Sequence, residues 1–232
     1  MIVVGVLNHN RYELLSRTLS SVEYLADRED VRFVLHDNGS EVPVVRKISS
    51  EWGHLFAAIH RAPSNIGIGG GMNKLHELAR TYEAEFYLHL ENDWEVSERC
   101  LNKNWFQESV DILKRHIDVG VIKLRIENDG QYEMSGHNVA NGTAEKYSPW
   151  WVPDTKVGLN TYSNDGIEYS YALLERGYTN NPHLLRMDMI KDWRMKDDSK
   201  GYGLEEEDWE IGPAKESWAT ANFKNGVFTH IG

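Results

Sequence analysis

An acidic group follows a predicted strand at the place where a parallel sheet binds its ligands. The apolar run 86–90 is followed directly by Glu91, Asn92 and Asp93. Carboxylates at positions i and i+2 can present oxygen atoms to Mg²⁺ or Mn²⁺, which bind one or two carboxylates together with substrate phosphates. A metal-diphosphate site is one interpretation of this group, and a solvated acidic turn is the other.

A second acidic group, at 205–208, consists of three glutamates and Asp208, and Trp209 and Ile211 follow it. Such a run is often only the first turn of a helix, where the helix dipole favours negative charge. The two apolar residues favour the core, so at least one carboxylate could occupy a partly buried cleft with a raised pKa, as a general base requires. His230 ends the last apolar strand, either incidentally or as an imidazole ligand for a Mn²⁺-like ion.

Polar residues also follow the first three predicted strands. The three groups are 8–11 (Asn-His-Asn-Arg), 37–40 (Asp-Asn-Gly-Ser) and the glycine-rich stretch 65–73. Each alone is an ordinary turn, but together they converge on one crevice. The third group is neither a dinucleotide fingerprint nor a P-loop. It is interpreted as a glycine-rich turn, which is either merely flexible or able to approach a diphosphate with its backbone amides.

The elements that would position these groups alternate along the first half of the chain. Apolar runs predict strands at 2–7, 31–36, 55–59, 86–90 and 119–124, and helical spacing predicts helices at 14–25, 44–52, 72–82 and 105–116. Right-handed crossovers between parallel strands then predict a three-layer α/β/α sandwich with a mostly parallel sheet. Ligands bind such sheets at the carboxyl ends of the strands.

The second half is less regular. Between 127 and 181 the periodicity fails, which predicts loops and short antiparallel strands over the site; a strand or helix at 184–190, a helix at 205–211 and a strand at 226–230 follow. This region is rich in aromatic residues, which suit the faces of sugar rings but also serve packing. They are Trp150, Trp151, Tyr162, Tyr169 and Tyr171.

Composition narrows the function classes. The 232 residues carry a net charge of −11, which argues against binding to nucleic acid, and their number predicts a single domain. The single cysteine excludes an internal disulfide and favours a cytoplasmic protein. No stretch reads as a signal peptide or a membrane span.

Taken in order, these motifs resemble the nucleotide-diphospho-sugar glycosyltransferases of GT-A fold, of the family 2 type, over nearly the whole chain. The likeness rests on Asn10-Arg11, on Asp37, on the turn from Asn65 through Gly67 to Asn73, on the DxD-like strand end, and on Glu207-Asp208 and His230. It implies a nucleotide-binding half at 1–125 and an acceptor-binding and catalytic half at 126–232.

The resemblance also implies residue roles. The nucleotide would be bound by Asn8, Asn10, Arg11, Asp37, Asn65, Gly67, Asn73 and Asn92, with Asp37 on the donor base. Mn²⁺ or Mg²⁺ would be bound by Asp93, His230 and Glu91, where Glu91 replaces the usual aspartate. Asp208 would be the catalytic base, with Glu207 or Glu206 as rivals, and the acceptor would contact Trp150, Trp151, Glu206 and Trp209.

The implied activity is an inverting, metal-dependent transfer of a sugar from a UDP-, GDP- or dTDP-sugar to a saccharide hydroxyl. The alternative is a non-catalytic module that binds a saccharide or a nucleotide sugar on the same fold. A nucleotidyltransferase is disfavoured, because no glycine-rich basic segment follows the first strand.

Overall fold

A computed structural model describes residues 1–101, 103–117, 119–125, 160–164, 167–172, 181–191, 193–195, 219–223 and 226–232. The helices described are α1 (Tyr12–Val22), α2 (Val42–Trp52), α3 (Gly67–Thr81) and α4 (Trp105–Arg115), with short 3₁₀ helices at Glu23–Asp27 and Met187–Ile190. The strands are β1 (Ile2–Asn8), β2 (Val31–Asp37), β3 (Phe56–Arg61), β4 (Phe86–Glu91), β5 (Trp94–Val96), β6 (Val119–Lys123), β7 (Asn160–Asn164), β8 (Ile167–Ala172), β9 (His183–Arg186), β10 (Ala219–Phe223) and β11 (Phe228–His230).

One large sheet organises the described part of the chain, in the order β3-β2-β1-β4-β9-β6-β10-β8-β7. The pairs β3-β2, β2-β1, β1-β4 and β6-β10 are parallel. β9 runs antiparallel to both β4 and β6, and β8 runs antiparallel to both β10 and β7. All strands of this sheet except β8 and β9 therefore point the same way, which confirms the prediction of a mostly parallel sheet.

Helices cover both faces of the sheet. In β1, Val4 and Val6 pack in one core cluster with residues of α1, α2 and α4, whereas Val3 and Leu7 pack in a second cluster with residues of α3. A strand buried on both faces must be apolar at successive positions, which explains the nearly continuous apolar run at 2–7. The predicted three-layer α/β/α sandwich is confirmed.

The glycine-rich stretch differs from its prediction. The predicted turn at 65–73 is wrong beyond residue 66, because α3 begins at Gly67 rather than near residue 72. Close packing accounts for the glycines: a Cβ atom on Gly71 would lie 2.6 Å from Leu7 Cδ1 and 3.3 Å from His36 Cδ2. Packing of α3 against β1 and β2 therefore outweighs the poor helix propensity of glycine, about 1 kcal/mol per residue.

Several pairings were not predicted from the sequence. The segment 184–190 divides into β9 and a 3₁₀ helix, and β9 enters the sheet between β4 and β6. The short strands β5 and β10 were missed altogether. The predicted last strand is shorter than expected, and as β11 it pairs with β5 in a separate two-stranded sheet. The helix predicted at 205–211 lies outside the described residues.

Histidines are buried on the α3 side of the sheet. His76 packs edge-on against Tyr87, whose hydroxyl lies 3.1 Å from His89 Nδ1, and His183 stacks on His89 with 5.2 Å between ring centroids. Burial lowers the pKa of His76 to about 3 and that of His183 to about 4, and it lowers the pKa of His89 strongly. Burial likewise lowers the pKa of His36, to about 4. These imidazoles are neutral in the folded protein at neutral pH.

We expect the free energy of unfolding to fall as the pH decreases from about 6.5 towards 4. In that window the unfolded chain binds protons that the buried histidines exclude, and each such proton costs about 1.4 kcal/mol per pH unit. Urea unfolding at pH 7.5, 6.5, 5.5 and 4.5 measures this dependence. His54→Gln, at an exposed side chain, should leave the slope unchanged; equal stability at pH 7.5 and 4.5 would contradict the expectation.

Candidate active site

A carboxylate, an imidazole and a guanidinium meet at the carboxyl ends of β1 and β4. Asp93 follows β4, and β5 pairs with β11 so that Trp94 lies opposite His230. The backbone N–H of Ile231 donates a hydrogen bond of 2.9 Å to the carbonyl oxygen of Asp93. This short ladder brings residues 93 and 230 together although 137 positions separate them in the sequence.

The two Asp93 oxygens have different surroundings. Oδ2 accepts a hydrogen bond of 2.7 Å from Arg11 Nη1 and lies 3.4 Å from His230 Nε2. Oδ1 is buried and has no hydrogen-bond partner in the described structure. The Asp93 side chain is 10% exposed, whereas those of His230 and Arg11 are 26% and 56% exposed. The carboxylate is therefore sheltered, and its two partners face outward.

Trp94 and Arg125, which the sequence analysis missed, pack behind His230. The Trp94 and His230 rings lie 4.9 Å apart between centroids, and Arg125 Cζ lies 5.3 Å from the centre of the Trp94 ring. Arg125 also donates a hydrogen bond of 3.2 Å to Asn181 Oδ1. Arg125 lies two residues beyond β6, at the carboxyl end of a parallel strand, and this position was an available signal.

Buried amides link the ends of β1, β2 and β4. Asn8 Nδ2 donates to Asp37 Oδ2 at 2.9 Å and to Ser40 Oγ at 3.3 Å, and Asn8 Oδ1 accepts from Asn92 Nδ2 at 2.9 Å. Asp37 Oδ1 accepts from the Ser40 backbone N–H at 2.9 Å. Both Asp37 oxygens thus serve this network, and its side chain is fully buried. The role of Asp37 on the donor base stays a prediction.

The backbone is left-handed immediately before α1. Asn10 and Arg11 have φ values of 53° and 50°, which are uncommon for residues other than glycine. The Asn10 N–H donates to Ser40 Oγ at 2.7 Å, and Asn10 Oδ1 accepts from the Glu41 N–H at 3.1 Å. These bonds hold a conformation that costs of order 1–3 kcal/mol per residue, and this conformation directs Arg11 towards Asp93.

A second set of bonds connects the loop after β2 to the start of α3. Asn38 Nδ2 donates to Asn65 Oδ1 at 3.1 Å and to the Gly67 carbonyl oxygen at 2.9 Å. Gly39, at φ 80°, lies so close to the loop between β3 and α3 that a Cβ atom would be 2.4 Å from the Ser64 carbonyl carbon. The predicted nucleotide ligands Asn65 and Gly67 are therefore fixed beside the β2 end.

Asn73 lies farther from these loops. Its Nδ2 donates to the Met195 carbonyl oxygen at 2.7 Å, and its Oδ1 accepts from the Met195 N–H at 2.9 Å.

The other predicted site residues are placed only in part. Glu91 ends β4, next to Asn92. The predicted catalytic and acceptor residues lie outside the described residues: Trp150, Trp151, Glu206, Glu207, Asp208 and Trp209. Tyr162, Tyr169 and Tyr171 belong to β7 and β8.

Asp93 and His230 fit the Mn²⁺ or Mg²⁺ ion that the resemblance implies, because they supply part of the ligand set that such an ion needs. The described residues contain no group of three or more His, Cys, Asp or Glu side chains arranged to hold a metal ion. Asp93 and His230 supply one carboxylate and one imidazole, and the orphaned Asp93 Oδ1 is an available acceptor. Mn²⁺ and Mg²⁺ take their remaining ligands from phosphates and water, so two protein ligands suffice.

The sequence matches no protein-family model and no curated protein. Its structure is similar to that of S. aureus TarS 1-349, with a TM-score of 0.62 and 14% identity over 98% of this chain and 59% of that chain. TarS 1-349 has also been solved in complex with UDP-GlcNAc. The mannosyltransferase PcManGT from Pyrobaculum calidifontis, in complex with GDP-Man and Mn²⁺, matches with a TM-score of 0.59 and 14% identity over 94% of this chain and 53% of that chain.

These similarities define the class of fold. The chain has the GT-A fold of the nucleotide-sugar transferases, as its motifs predicted. It spans little more than half the length of TarS 1-349 and of PcManGT. None of the helices that the structure describes is long and apolar enough to cross a membrane.

We expect Asn8→Ala to lower the free energy of unfolding by about 2–4 kcal/mol, because it leaves Asp37 Oδ2 and Asn92 Nδ2 buried with fewer partners, at about 1–3 kcal/mol each. Urea unfolding monitored by circular dichroism measures the loss. Asn104→Ala is the matched control, since that side chain is exposed and makes no capping bond. Its expected effect is within about 0.5 kcal/mol; equal losses in the two variants would contradict the network's importance.

Proposed function

We propose that the protein is an inverting, metal-dependent glycosyltransferase that moves a sugar from a nucleoside diphosphate to a saccharide hydroxyl. The observation that carries the proposal is the Asp93, His230 and Arg11 cluster at the carboxyl ends of β1 and β4 of a GT-A fold. The complexes of TarS 1-349 with UDP-GlcNAc and of PcManGT with GDP-Man and Mn²⁺ support it.

The nucleotide belongs, in this proposal, to the half formed by residues 1–125. The loop after β1 brings Arg11 to Asp93, the buried amide network joins the ends of β1, β2 and β4, and Asn38 joins the loop after β2 to the start of α3. Residues 126–232 complete the site with the acceptor surface and the base. In this half, Trp150, Trp151, Glu206 and Trp209 are the proposed acceptor contacts.

The chemistry requires the anomeric carbon to exchange one oxygen for another. The acceptor oxygen forms a bond to that carbon while the bond to the diphosphate breaks, and the proton of the acceptor hydroxyl passes to the carboxylate of Asp208. Attack opposite the departing group inverts the anomeric configuration. Glu207 is the alternative base.

Charge on the departing diphosphate must be stabilised as it develops. A divalent cation held by Asp93 and His230, with Glu91 as a further candidate ligand, would supply positive charge there when bound. The Arg11 guanidinium supplies a second positive charge from the protein itself, and its exposed side chain can reach a ligand in the cleft. Positioning of donor and acceptor in line contributes much of the remaining acceleration.

We expect Asp93→Asn to weaken the binding of a nucleoside diphosphate at least about tenfold in Mn²⁺, because metal affinity depends on each ligand, and to change it little in EDTA. UDP, GDP and dTDP are first screened by thermal stabilisation of the wild type in Mn²⁺, since a bound ligand raises the melting temperature. Calorimetric titration of the best diphosphate then compares Asp93→Asn with Glu95→Gln, whose carboxylate pairs with Arg17 instead. If Asp93→Asn weakened diphosphate binding equally in Mn²⁺ and in EDTA, that result would contradict a metal role for Asp93.

We expect Asp208→Asn to lower the transfer rate by about 10²–10⁴-fold and to leave diphosphate affinity within about twofold of the wild type. Release of the nucleoside diphosphate from the matching nucleotide sugar, with saccharide acceptor present, measures the rate. Glu206→Gln and Glu207→Gln, on the same acidic run, test the two rival bases. A larger loss in Glu207→Gln would move the base to that residue, and metal-dependent binding without turnover in the wild type would favour the non-catalytic module.

A further inference from the structure

The Asp93 carboxylate already has a positively charged partner from the protein. Arg11 Nη1 lies 2.7 Å from Asp93 Oδ2, and His230 Nε2 lies 3.4 Å from the same oxygen. Gly232 packs against this pair, since a Cβ atom there would be 2.7 Å from Oδ2 and 3.2 Å from Arg11 Nη1. Asp93 Oδ2, the oxygen that faces the imidazole, therefore already accepts a hydrogen bond from Arg11 and is closely packed by Gly232.

A divalent cation shared by Asp93 and His230 would have to compete with this guanidinium. Binding of the cation would cost the charged hydrogen bond between Arg11 and Asp93, and the guanidinium would add charge repulsion. The pair cannot be discounted as a solvent-screened surface contact, because the Asp93 side chain is 10% exposed. Metal binding to the protein alone is consequently opposed by Arg11.

The Arg11 side chain is exposed, and its backbone is fixed by bonds that do not involve the guanidinium. Its side chain is 56% exposed, so the guanidinium borders solvent on the side away from Asp93. Its left-handed backbone is held by the bonds that the neighbouring Asn10 makes with Ser40 and Glu41, and by the Leu15 N–H, which donates to the Arg11 carbonyl oxygen at 3.1 Å. Because those bonds do not involve the guanidinium, the side chain can change partner while the turn stays in place.

We propose that Arg11 and the divalent cation exclude each other at Asp93, and that the nucleoside diphosphate relieves this competition by drawing the guanidinium onto its own oxygens. Arginine forms paired hydrogen bonds with phosphate oxygens as readily as with carboxylates. The inference rests on the proposed function and adds an order of binding: the metal binds weakly alone and tightly with the diphosphate. Linkage requires the two ligands to strengthen each other by the same factor.

The experiment measures the affinity for Mn²⁺ alone, from the electron paramagnetic resonance signal of free Mn²⁺, in the full chain. Arg11→Gln should bind Mn²⁺ about tenfold more tightly than the wild type, the effect of removing a charged hydrogen bond. Arg17→Gln is the matched control, because Arg17 makes an equally short pair, of 2.6 Å, with Glu95 and is 53% exposed. That control should leave the affinity for Mn²⁺ unchanged.

The same titrations are repeated with the diphosphate selected by the thermal screen. The factor by which it tightens Mn²⁺ binding should be large in the wild type and several-fold smaller in Arg11→Gln. Circular dichroism checks folding, and Arg11→Lys, which keeps one positive charge, should raise the affinity for Mn²⁺ by less than Arg11→Gln.

If Arg11 were only a diphosphate ligand, both Arg11 variants would lose diphosphate affinity and bind Mn²⁺ alone as the wild type does. That result would contradict the competition between Arg11 and the cation at Asp93, and it would leave the proposed function unaffected. Conversely, if none of the tested diphosphates bound to the wild type in Mn²⁺, the proposed function itself would fail, even with a raised affinity for Mn²⁺ in Arg11→Gln.

Discussion

The pairing of β5 with β11 is the contact on which the proposed chemistry depends. It is short, yet it joins the end of the central strand β4 to a strand more than 130 residues later, and it fixes Asp93 beside His230. Neither side chain alone defines a site, since a lone carboxylate at a strand end and a lone imidazole near a terminus are common surface features. Trp94 packs between His230 and Arg125, so the imidazole is oriented from behind as well as through its backbone.

The amide network around Asn8 is the second constraint, and it acts on the other partner of Asp93. Its bonds connect the ends of three adjacent strands without a charge other than that of Asp37, so the loops keep a fixed separation. That separation permits the left-handed turn before α1, from which Arg11 extends to Asp93. The buried network thus stabilises the strained turn, and the turn holds the Arg11 guanidinium beside Asp93.

The sequence was informative wherever the signal was local. Continuous apolar runs predicted β1, β2, β3, β4 and β6, helical spacing predicted the helices, and the polar residues after the first four of these strands predicted that their ends would meet. It failed where partners are distant: the insertion of β9 between β4 and β6 and the pairing of β5 with β11 leave no periodic trace. The start of α3 was misjudged for a different reason, because the space that Gly71 must leave for Leu7 exists only in the folded chain.

The net negative charge of the protein gives the few positively charged side chains at the strand ends their importance. The protein carries a net charge of −11, so its long-range field opposes the approach of a nucleoside diphosphate. At physiological ionic strength that field is screened within about 8 Å, so under the proposed function the affinity for the diphosphate would come from contacts at the strand ends. Arg11 at the end of β1, the buried Lys123 and Arg125 at the end of β6, and the candidate metal ligands Asp93 and His230 concentrate such contacts along one edge of the sheet. In so acidic a protein, the pair between Arg11 and Asp93 therefore holds positive charge at the strand ends, where the proposed diphosphate would lie.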